Sequence, residues 1–294
     1  MFETGSFAAP SELAERSATP ASAIPSVDWW ITSRCNLACD FCYGPTPDRD
    51  PISLREDILA ALKECSADVV TFCGGEPLLV REIGRYAKEL AAVGKRTVLN
   101  TNGSLLRRRV EQGLELAFSA VGLSIEGSTR AVHSAMRGVK ADLDEVLRAA
   151  ELVADAPGLS LKLATVVSSV NRHDLPSLAK LVVGLKPDIW RLYQYSARGT
   201  RNTGQQRHPV SAEEFHELAA AAAKDASPIP TAPSSEDMTA GCLIVDPSGN
   251  ILQPGGAGYE RRGNCLEEPI DSIWANIPAT TIIANKRWLS VLVK

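Results

Sequence analysis

The sequence predicts an α/β fold, a partial (β/α)6, TIM-like barrel with a short C-terminal extension made of a β-hairpin and a helix. Six apolar segments, rich in β-branched or bulky residues, alternate with helical patterns from residue 27 onward. This alternation is typical of a parallel sheet with right-handed crossovers. Because the glycine fingerprint of a doubly wound dinucleotide-binding sheet does not follow the first segment, a barrel is favoured over that fold. We therefore expect functional residues at the carboxyl ends of the strands.

The predicted elements follow one another in a regular order. The predicted strands cover residues 27–32, 68–73, 95–100, 119–125, 159–167 and 188–196. The predicted helices between them open at Ser53, with Glu56 completing a capping box, or cover residues 78–93, 142–154 and 174–185. Beyond residue 196 the pattern predicts one more helix, capped by Ser211 with Glu214.

The chain divides into four predicted parts. Residues 1–26 are a flexible leader, since they lack the basic start and apolar centre of a signal peptide. Residues 27–200 form the core barrel, and residues 201–240 a helix followed by a linker rich in proline and serine. Residues 241–294 form a C-terminal cap whose hairpin is too short to fold alone, so we expect it to pack on the barrel.

Composition excludes several classes of protein. With 294 residues, 45% of them hydrophobic and 22% charged, the chain is expected to form a folded globular core. The net charge of −4 provides no field that would attract nucleic acid. No apolar run approaches the roughly 20 residues of a membrane span. We expect a cytoplasmic protein with a small-molecule substrate and with neither nucleic acid nor a membrane as partner.

Three cysteines directly after the first predicted strand carry the strongest chemical signal. Cys35, Cys39 and Cys42 form a C-x3-C-x2-C pattern, and three thiolates at this spacing suit an iron–sulfur cluster with one iron left open. A zinc site and three merely buried thiols are the alternatives. Structural zinc requires four protein ligands, and the first histidine of the chain is His133. These three cysteines are therefore the predicted metal ligands.

The segment ITSRCNLACDFCYG, residues 31–44, resembles the cluster loop of the radical S-adenosylmethionine (radical SAM) superfamily, including the aromatic Phe41 before the third cysteine. The resemblance implies a [4Fe–4S] cluster whose open iron binds SAM. It further implies that SAM is cleaved to a 5′-deoxyadenosyl radical, which abstracts a hydrogen atom from the substrate. The electron would come from an external one-electron donor such as a flavodoxin or ferredoxin. Tyr43, on the same loop, is assigned to cofactor binding.

The segment FCGGEP, residues 72–77, resembles the GGEP motif of the same superfamily. Gly74 and Gly75 would let the backbone approach a ligand closely. The resemblance places the region of Glu76 against the ammonium group of SAM, to which a carboxylate or carbonyl can offer acceptors. We therefore assign these three residues to cofactor binding.

Later strand ends also match the superfamily in order. TNG at residues 101–103 and SIEG at residues 124–127 resemble the positions that hold SAM through Asn102 and Ser124. Arg137 resembles the arginine that pairs with the SAM carboxylate, for which its bidentate donors are suited. Taken alone, TNG is also an ordinary turn, and Arg137 also an ordinary surface arginine.

The fifth and sixth predicted strands resemble those of viperin-like nucleotide dehydratases, a branch of the superfamily. The lysine of that pattern is present as Lys162, which we assign to a substrate phosphate or carboxylate. Ala164 stands where the pattern has an asparagine, which counts against a nucleotide triphosphate. A charge at the barrel rim is the alternative role for Lys162.

The C-terminal tail resembles a degenerate SPASM or twitch extension, the region that holds an auxiliary cluster in many members of the superfamily. Gly255 stands where the hairpin usually reaches a cysteine, so we expect no auxiliary cluster. Cys242, at the start of the hairpin, is the predicted catalytic hydrogen-atom donor, in preference to Cys265. The four histidines have no metal-ligand spacing and receive no role.

These observations predict a radical SAM enzyme that uses one [4Fe–4S] cluster and SAM on a small polar molecule. The expected reaction is the epimerisation of a sugar-like or natural-product substrate, because a tail without a cluster offers no second electron acceptor. Viperin-like nucleotide dehydration and modification of a ribosomal peptide are the enzymatic alternatives. An iron–sulfur electron carrier without enzymatic activity is the alternative from another class.

Overall fold

The computed structural model describes residues 24–45, 50–199, 207–225, 243–255 and 258–277. Its strands are β1 (Val27–Thr32), β2 (Val69–Gly74), β3 (Arg96–Thr101), β4 (Ala120–Ser124), β5 (Ser160–Val167), β6 (Ile189–Gln194), β7 (Leu243–Val245), β8 (Asn250–Pro254) and β9 (Tyr259–Asn264). Its helices are α1 (Arg55–Glu64), α2 (Ile83–Ala92), α3 (Leu106–Glu111), α4 (Arg130–Arg137), α5 (Leu143–Ala154), α6 (Leu175–Leu185), α7 (Ala212–Asp225) and α8 (Ile270–Ala275). None of these helices has the length and apolar character that crossing a membrane requires.

The first six strands confirm the predicted α/β fold. They pair in parallel from β1 to β6 in chain order, and helices connect them. β1 does not pair with β6, so the sheet stays open as a partial barrel. Strand boundaries differ from the predicted ones by a residue or two, as in β2 (Val69–Gly74, against the predicted residues 68–73). Parallel pairing brings all six carboxyl ends to one edge of the sheet.

The C-terminal segment lengthens this sheet at its β1 edge. β7 pairs in parallel with β1, with Val245 opposite Trp29. β8 then pairs antiparallel with β7, which confirms the predicted hairpin, and β9 pairs antiparallel with β8. The order of the sheet is β6-β5-β4-β3-β2-β1-β7-β8-β9. The cap therefore joins the barrel by backbone hydrogen bonds rather than by side-chain packing alone.

Two local expectations change in the structure. The predicted capping box at Ser53 is wrong, because a 3-10 turn at Ile52–Leu54 comes first and α1 begins only at Arg55. Glu56 instead accepts a hydrogen bond from Tyr86 at 3.1 Å. Ser211 does cap α7, since its hydroxyl accepts the N–H of Glu214 at 3.1 Å.

The predicted leader and linker fall largely outside the described residues. Residues 1–23 of the leader lie outside the described residues. Residues 226–242, which cover the end of the linker and the start of the cap, lie outside them as well. Ile24, which belongs to the predicted leader, is buried, and its N–H donates to the Ser66 hydroxyl at 3.4 Å. Contact with the core therefore begins at least three residues before β1.

The two faces of β1 explain why the interior of the barrel is polar. Trp29 points to the helix-covered face, where its ring lies 5.5 Å from Phe72 and 5.6 Å from Tyr86. Burial of large side chains such as these contributes about 1.5–3 kcal/mol each. Trp30, on the opposite face, lines the cavity inside the barrel. Because the apolar core lies between sheet and helices, the inner face is left for chemistry.

The loop after β2 lies directly on the loop after β1. The N–H of Gly75 donates to the Thr32 carbonyl at 2.7 Å, and that of Glu76 donates to the Arg34 carbonyl at 2.8 Å. A Cβ on Gly75 would lie 2.0 Å from the Arg34 oxygen. Gly75 is therefore needed so that two protein loops can touch. It also lines the cavity inside the barrel, and its role in cofactor binding stays a prediction.

We predict that Gly75→Ala lowers the free energy of unfolding by about 1–3 kcal/mol, because the added methyl group forces the two loops apart. Gly184, in α6, is the matched control, because a Cβ placed there meets no atom within 4 Å. Gly184→Ala should raise stability by about 0.5–1 kcal/mol. Chemical denaturation of both variants measures the difference, and equal stabilities would contradict the close contact.

Candidate functional site

The three predicted metal ligands border one cavity at the carboxyl ends of the strands. Cys35, Cys39 and Cys42 lie on the loop after β1 and all face this cavity. Cys35 is exposed and Cys39 is buried. Burial raises the pKa of Cys39 to about 11, although the nearby Arg137 opposes this effect. Near pH 7 this thiol therefore keeps its proton until a metal replaces it.

The set of donors fits an iron–sulfur cluster. All three candidate ligands are thiols, which suit iron–sulfur clusters and other soft metals. The sulfurs are close enough that Cys35 and Cys42 each raise the pKa of Cys39 through their charges. The guanidinium of Arg137 lies 4.0 Å from the Cys39 sulfur, where its positive charge favours the thiolate form. Three thiols are the donor set that a cluster with three protein ligands would use.

Glu76 is occupied by protein donors. Its carboxylate accepts the N–H of Leu78 at 3.0 Å, the hydroxyl of Thr101 at 2.6 Å and the N–H of Asn102 at 2.9 Å. The side chain is fully buried and is not among the residues that line the cavity. The Glu76 side chain thus joins the ends of β2 and β3, and the contact of the Glu76 region with SAM stays a prediction.

Asn102 connects the end of β3 to the cluster loop. Its amide nitrogen donates to the side-chain oxygen of Asn36 at 2.9 Å. Its own oxygen accepts the hydroxyl of Ser104 at 2.6 Å, and Asn36 donates to that same hydroxyl at 2.8 Å. Asn102 also lines the cavity. The residue predicted to bind the cofactor is therefore the one that attaches the cluster loop to β3.

Most of the other predicted cofactor residues also lie at this cavity. Its lining includes Tyr43, Gly74, Gly75, Ser124 and Arg137, together with Trp30, Phe41, Cys73, Asn100, Gly122, Ala164 and Tyr193. The structure thus brings together residues from all six parallel strands and from the cluster loop. This convergence is what the predicted position at the strand ends requires.

Arg137 is buried in an ion pair rather than exposed. Its guanidinium binds one oxygen of Glu126 at 3.0 and 3.2 Å, and the other oxygen accepts the N–H of Val166 at 2.7 Å. Burial raises the pKa of Glu126, an effect that Arg137 opposes. The pair joins the end of α4 to the ends of β4 and β5. The surface alternative for Arg137 is therefore wrong.

His133 lies beside this ion pair and remains neutral. Its ring is buried, and Nδ1 accepts the N–H of Glu126 at 3.3 Å. Burial, with a contribution from the charge of Arg137, lowers the pKa of His133 to about 4. Near pH 7 the ring therefore adds no charge to the site.

Lys162 lies inside the barrel, not at its rim. It faces the cavity from β5, opposite Gly122 of β4, and it is buried. Lys162 and Arg191 both bind the hydroxyl of Tyr193. Burial by itself would raise the pKa of Tyr193, but these two cations lower it below its ordinary value. The rim alternative is wrong, and the barrel contains two cations around one phenol.

The predicted hydrogen-atom donor, Cys242, lies outside the described residues. Cys265 is buried in the main hydrophobic core and does not line the cavity. Burial raises the pKa of Cys265 to about 12. The structure thus leaves Cys242 as a prediction and gives Cys265 a place in the core.

A comparison with models of protein families matches the part of the chain that contains most of the cavity residues. The sequence model described as the radical SAM superfamily matches residues 30–182, just over half of the 294 residues. The chain belongs to the radical SAM superfamily. The matched region contains the three cysteines, the GGEP and TNG motifs, Arg137 and Lys162. Members of this family use a [4Fe–4S] cluster and SAM, as predicted.

Curated relatives of this radical SAM chain are named as enzymes, which supports the prediction of an enzyme. Fe-coproporphyrin III synthase of Methanosarcina barkeri is 30% identical over 60% of this chain and 46% of its own length. An S-adenosylmethionine-dependent nucleotide dehydratase of Flammeovirga pacifica is 26% identical over 83% of this chain and 87% of its own. The chain spans about half the length of the first of these relatives and most of the second.

Solved radical SAM structures have the same fold. Streptococcus suis SuiB bound to S-adenosylmethionine has a TM-score of 0.67 at 15% identity, over 88% of this chain and 67% of its own. The structure described as anSMEcpe with bound AdoMet has a TM-score of 0.64 at 17% identity, over 88% and 83%. At these identities the likeness concerns the fold alone.

Several residues of the site have no counterpart among the sequence predictions. Glu126 belongs to the quoted SIEG motif, yet its pairing with Arg137 depends on a helix end that the pattern did not define. Asn100 and Tyr193 line the cavity because strand alternation places them on the inner face. Arg191 and Tyr193 are two residues apart on one strand and therefore share a face. This spacing is a sequence signal that would have indicated Tyr193 as a residue of the inner face.

We predict that Arg137→Ala weakens SAM binding about 10- to 100-fold, because it removes a charge-assisted partner worth roughly 1.5–3 kcal/mol. The same change leaves Glu126 buried without its cation, so the protein should also lose stability. Isothermal titration with the cluster in place measures the first effect. Arg137→Lys, which keeps the charge but loses the bidentate fork, should fall between wild type and alanine. Unchanged SAM affinity in both variants would restrict Arg137 to its structural role.

Proposed function

We propose that this radical SAM chain acts on a small polar substrate that carries a phosphate or carboxylate group. Lys162 carries the argument, because it is buried inside the barrel and forms no ion pair in the described part of the chain. A buried cation without a counter-ion costs several kcal/mol. An anionic group of the substrate would remove this cost, and it would do so at the cavity where the chemistry takes place.

The chain's own residues would divide the cavity between cofactor and substrate. Cys35, Cys39 and Cys42 would hold the cluster, while Asn102 and Arg137 would face SAM. When bound, the cluster and SAM supply the family's chemistry, the reductive cleavage of SAM to a radical that abstracts a hydrogen atom. Arg137 lies 4.0 Å from the Cys39 sulfur, so its charge is available both to the cysteine and to a carboxylate.

The substrate would lie deeper in the barrel than the cysteines. Lys162 faces the cavity from β5, opposite Gly122, and the side chain of Asn100 occupies the space that a Cβ on Gly122 would need. The hydroxyl of Tyr193 accepts from Lys162 and Arg191, which are donors only. Its own hydrogen must therefore point away from both cations. An anion bound here would meet the ammonium group of Lys162 and the phenol of Tyr193, both of which line the cavity.

Nucleotide dehydration is one candidate outcome, and two observations favour it. The dehydratase of Flammeovirga pacifica aligns over most of both chains, and the cations of β5 and β6 suit a phosphate. Ala164, which lines the cavity where the viperin-like pattern has an asparagine, is the difference that would alter how such a substrate is held. Streptococcus suis SuiB has also been solved bound to a precursor peptide, but at 15% identity this likeness concerns the fold and does not favour a peptide.

Epimerisation, the outcome expected from the sequence, is the other candidate. It requires a hydrogen-atom donor on the face of the substrate opposite to abstraction, and a thiol S–H is the weakest-bonded hydrogen that a side chain offers. The donor predicted from the sequence is Cys242, which directly precedes Leu243, the first residue of β7. An external one-electron donor, such as a flavodoxin or ferredoxin, would supply the electron that cleaves SAM in either case. In epimerisation the same donor would supply a second electron which, with a proton from water, returns the Cys242 thiyl radical to the thiol.

We predict that phosphorylated or carboxylated small molecules stimulate SAM-dependent formation of 5′-deoxyadenosine, whereas neutral analogues of the same size do not. Lys162→Met, which keeps the length of the side chain without its charge, should raise KM for the active compounds about 10- to 100-fold. Its iron content and SAM affinity should stay within twofold of wild type. Equal stimulation by neutral and anionic compounds would contradict the proposed anion site.

We predict different isotope patterns for the two outcomes in D2O. Epimerisation through Cys242 would place one solvent deuterium at the inverted carbon, because a thiol exchanges its hydrogen with water. Cys242→Ala would then still form 5′-deoxyadenosine while losing the inverted product. Dehydration would release water and leave the product one oxygen poorer. Mass spectrometry of the product distinguishes these results, and full turnover by Cys242→Ala would exclude the donor role.

A further inference from the structure

The cluster loop has little internal hydrogen bonding. Within residues 35–42, all of which are described, the backbone makes one N–H to carbonyl bond, from Cys42 to Cys39 at 3.4 Å. The N–H of Leu37 approaches the Cys35 sulfur at 3.4 Å. Because holding a loop in one conformation costs entropy, the shape of this loop must depend on contacts from outside it.

Asp40 is the loop residue that makes the charged contacts. It lies between Cys39 and Cys42, and each of its carboxylate oxygens meets a different cation or ring. Oδ1 is 2.9 Å from Nε2 of His208, and Oδ2 is 3.1 Å from the guanidinium of Arg207. Both partners come from the segment that follows the barrel and precedes α7. We call Asp40, Arg207 and His208 the loop clamp.

The ring of His208 is held on every side. It is fully buried, and Nδ1 lies 3.4 Å from the hydroxyl of Ser168, in the loop after β5. The ring packs against Phe41 at 5.8 Å and Tyr195 at 5.2 Å between centroids. Because a carboxylate only accepts, Nε2 must carry the hydrogen that it shares with Asp40. His208 is therefore a fixed donor aimed at the loop.

Arg207 ties the same loop to α4. Its guanidinium also donates to the carbonyl of Ala135 at 2.9 Å. Two residues later, the Arg137 carbonyl lies 3.6 Å from the Cys39 sulfur. The loop is thus attached at Cys39 to the end of α4 and at Asp40 to the chain beyond β6, two residues before Cys42.

We propose that His208 is a positioning residue for the cluster: through Asp40 it holds the turn that carries Cys39 and Cys42 in its ligating shape. This inference rests on the cluster site of the proposed function but adds a residue outside the matched family region, which ends at residue 182. All contacts of the loop clamp are made by protein groups. Sequence spacing had given this histidine no role, which the structure corrects.

The test compares iron retention in anaerobically reconstituted full-length protein. His208→Ala should release iron to a ferrous chelator about tenfold faster than wild type, because the loop loses a hydrogen bond to a charged group. His208→Gln, whose amide nitrogen can take the place of Nε2, should restore most of the retention. The midpoint potential of the cluster, followed by electron paramagnetic resonance, should shift in His208→Ala and return toward wild type in His208→Gln. His173→Ala removes an exposed histidine and is the matched control.

Two outcomes would overturn the inference. One is iron release and potential in His208→Ala equal to those of wild type. The other is equal loss of iron and of thermal stability in the alanine and glutamine variants, which would indicate packing alone. If His208→Ala does not fold, Asp40→Asn decides, since it keeps the size of a half-buried side chain and should release iron faster. Failure of the cluster itself is separate: it would appear as iron that persists after Cys35, Cys39 and Cys42 are all changed to alanine.

Discussion

The buried ion pair between Glu126 and Arg137 is the interaction on which the rest of the site depends. The Glu126 carboxylate accepts hydrogen bonds from the N–H of Val166 and from the Arg137 guanidinium. The same guanidinium lies 4.0 Å from the Cys39 sulfur. A single interaction thereby joins two strand ends, one helix end and the cluster loop. Because neither charge is tolerable alone in this interior, each holds the other in place. The position of the cation that faces the cavity is thus determined by a residue that need not touch any ligand.

Much of this arrangement was predictable from the sequence. The alternation of strands and helices, together with parallel pairing, places the residues at the strand ends along one edge of the sheet. Asn102 and Ser124 therefore line the same cavity as the cysteines. The period of two along β5 likewise directs Lys162 and Ala164 to the same face. These positions at the cavity depend on backbone geometry, which local sequence specifies well.

What escaped prediction depends on contacts between segments distant in sequence. Three donors from β3 and its own loop occupy the carboxylate of Glu76, and no local pattern reveals them. The carbonyl of Arg34 lies where a Cβ on Gly75 would be, a contact between two loops that no local pattern reveals either. His208 lies 168 residues from its partner Asp40, so spacing carried no information about it. In each case the sequence showed that the residue type was notable, but it could not show which distant group the residue contacts.

The attachment of the C-terminal tail has a consequence for how such tails can change. β7 is held to β1 by main-chain pairing, which is nearly indifferent to the identity of the side chains. Side-chain contact with the cluster loop comes from Tyr259, whose hydroxyl donates to the Tyr43 carbonyl at 2.9 Å and whose ring meets Trp30 at 5.0 Å. A tail mounted in this way is free to diverge in sequence, or to lose metal-binding residues, without coming away from the barrel. The edge of β1 can therefore bind C-terminal segments of different sequence through the same backbone hydrogen bonds.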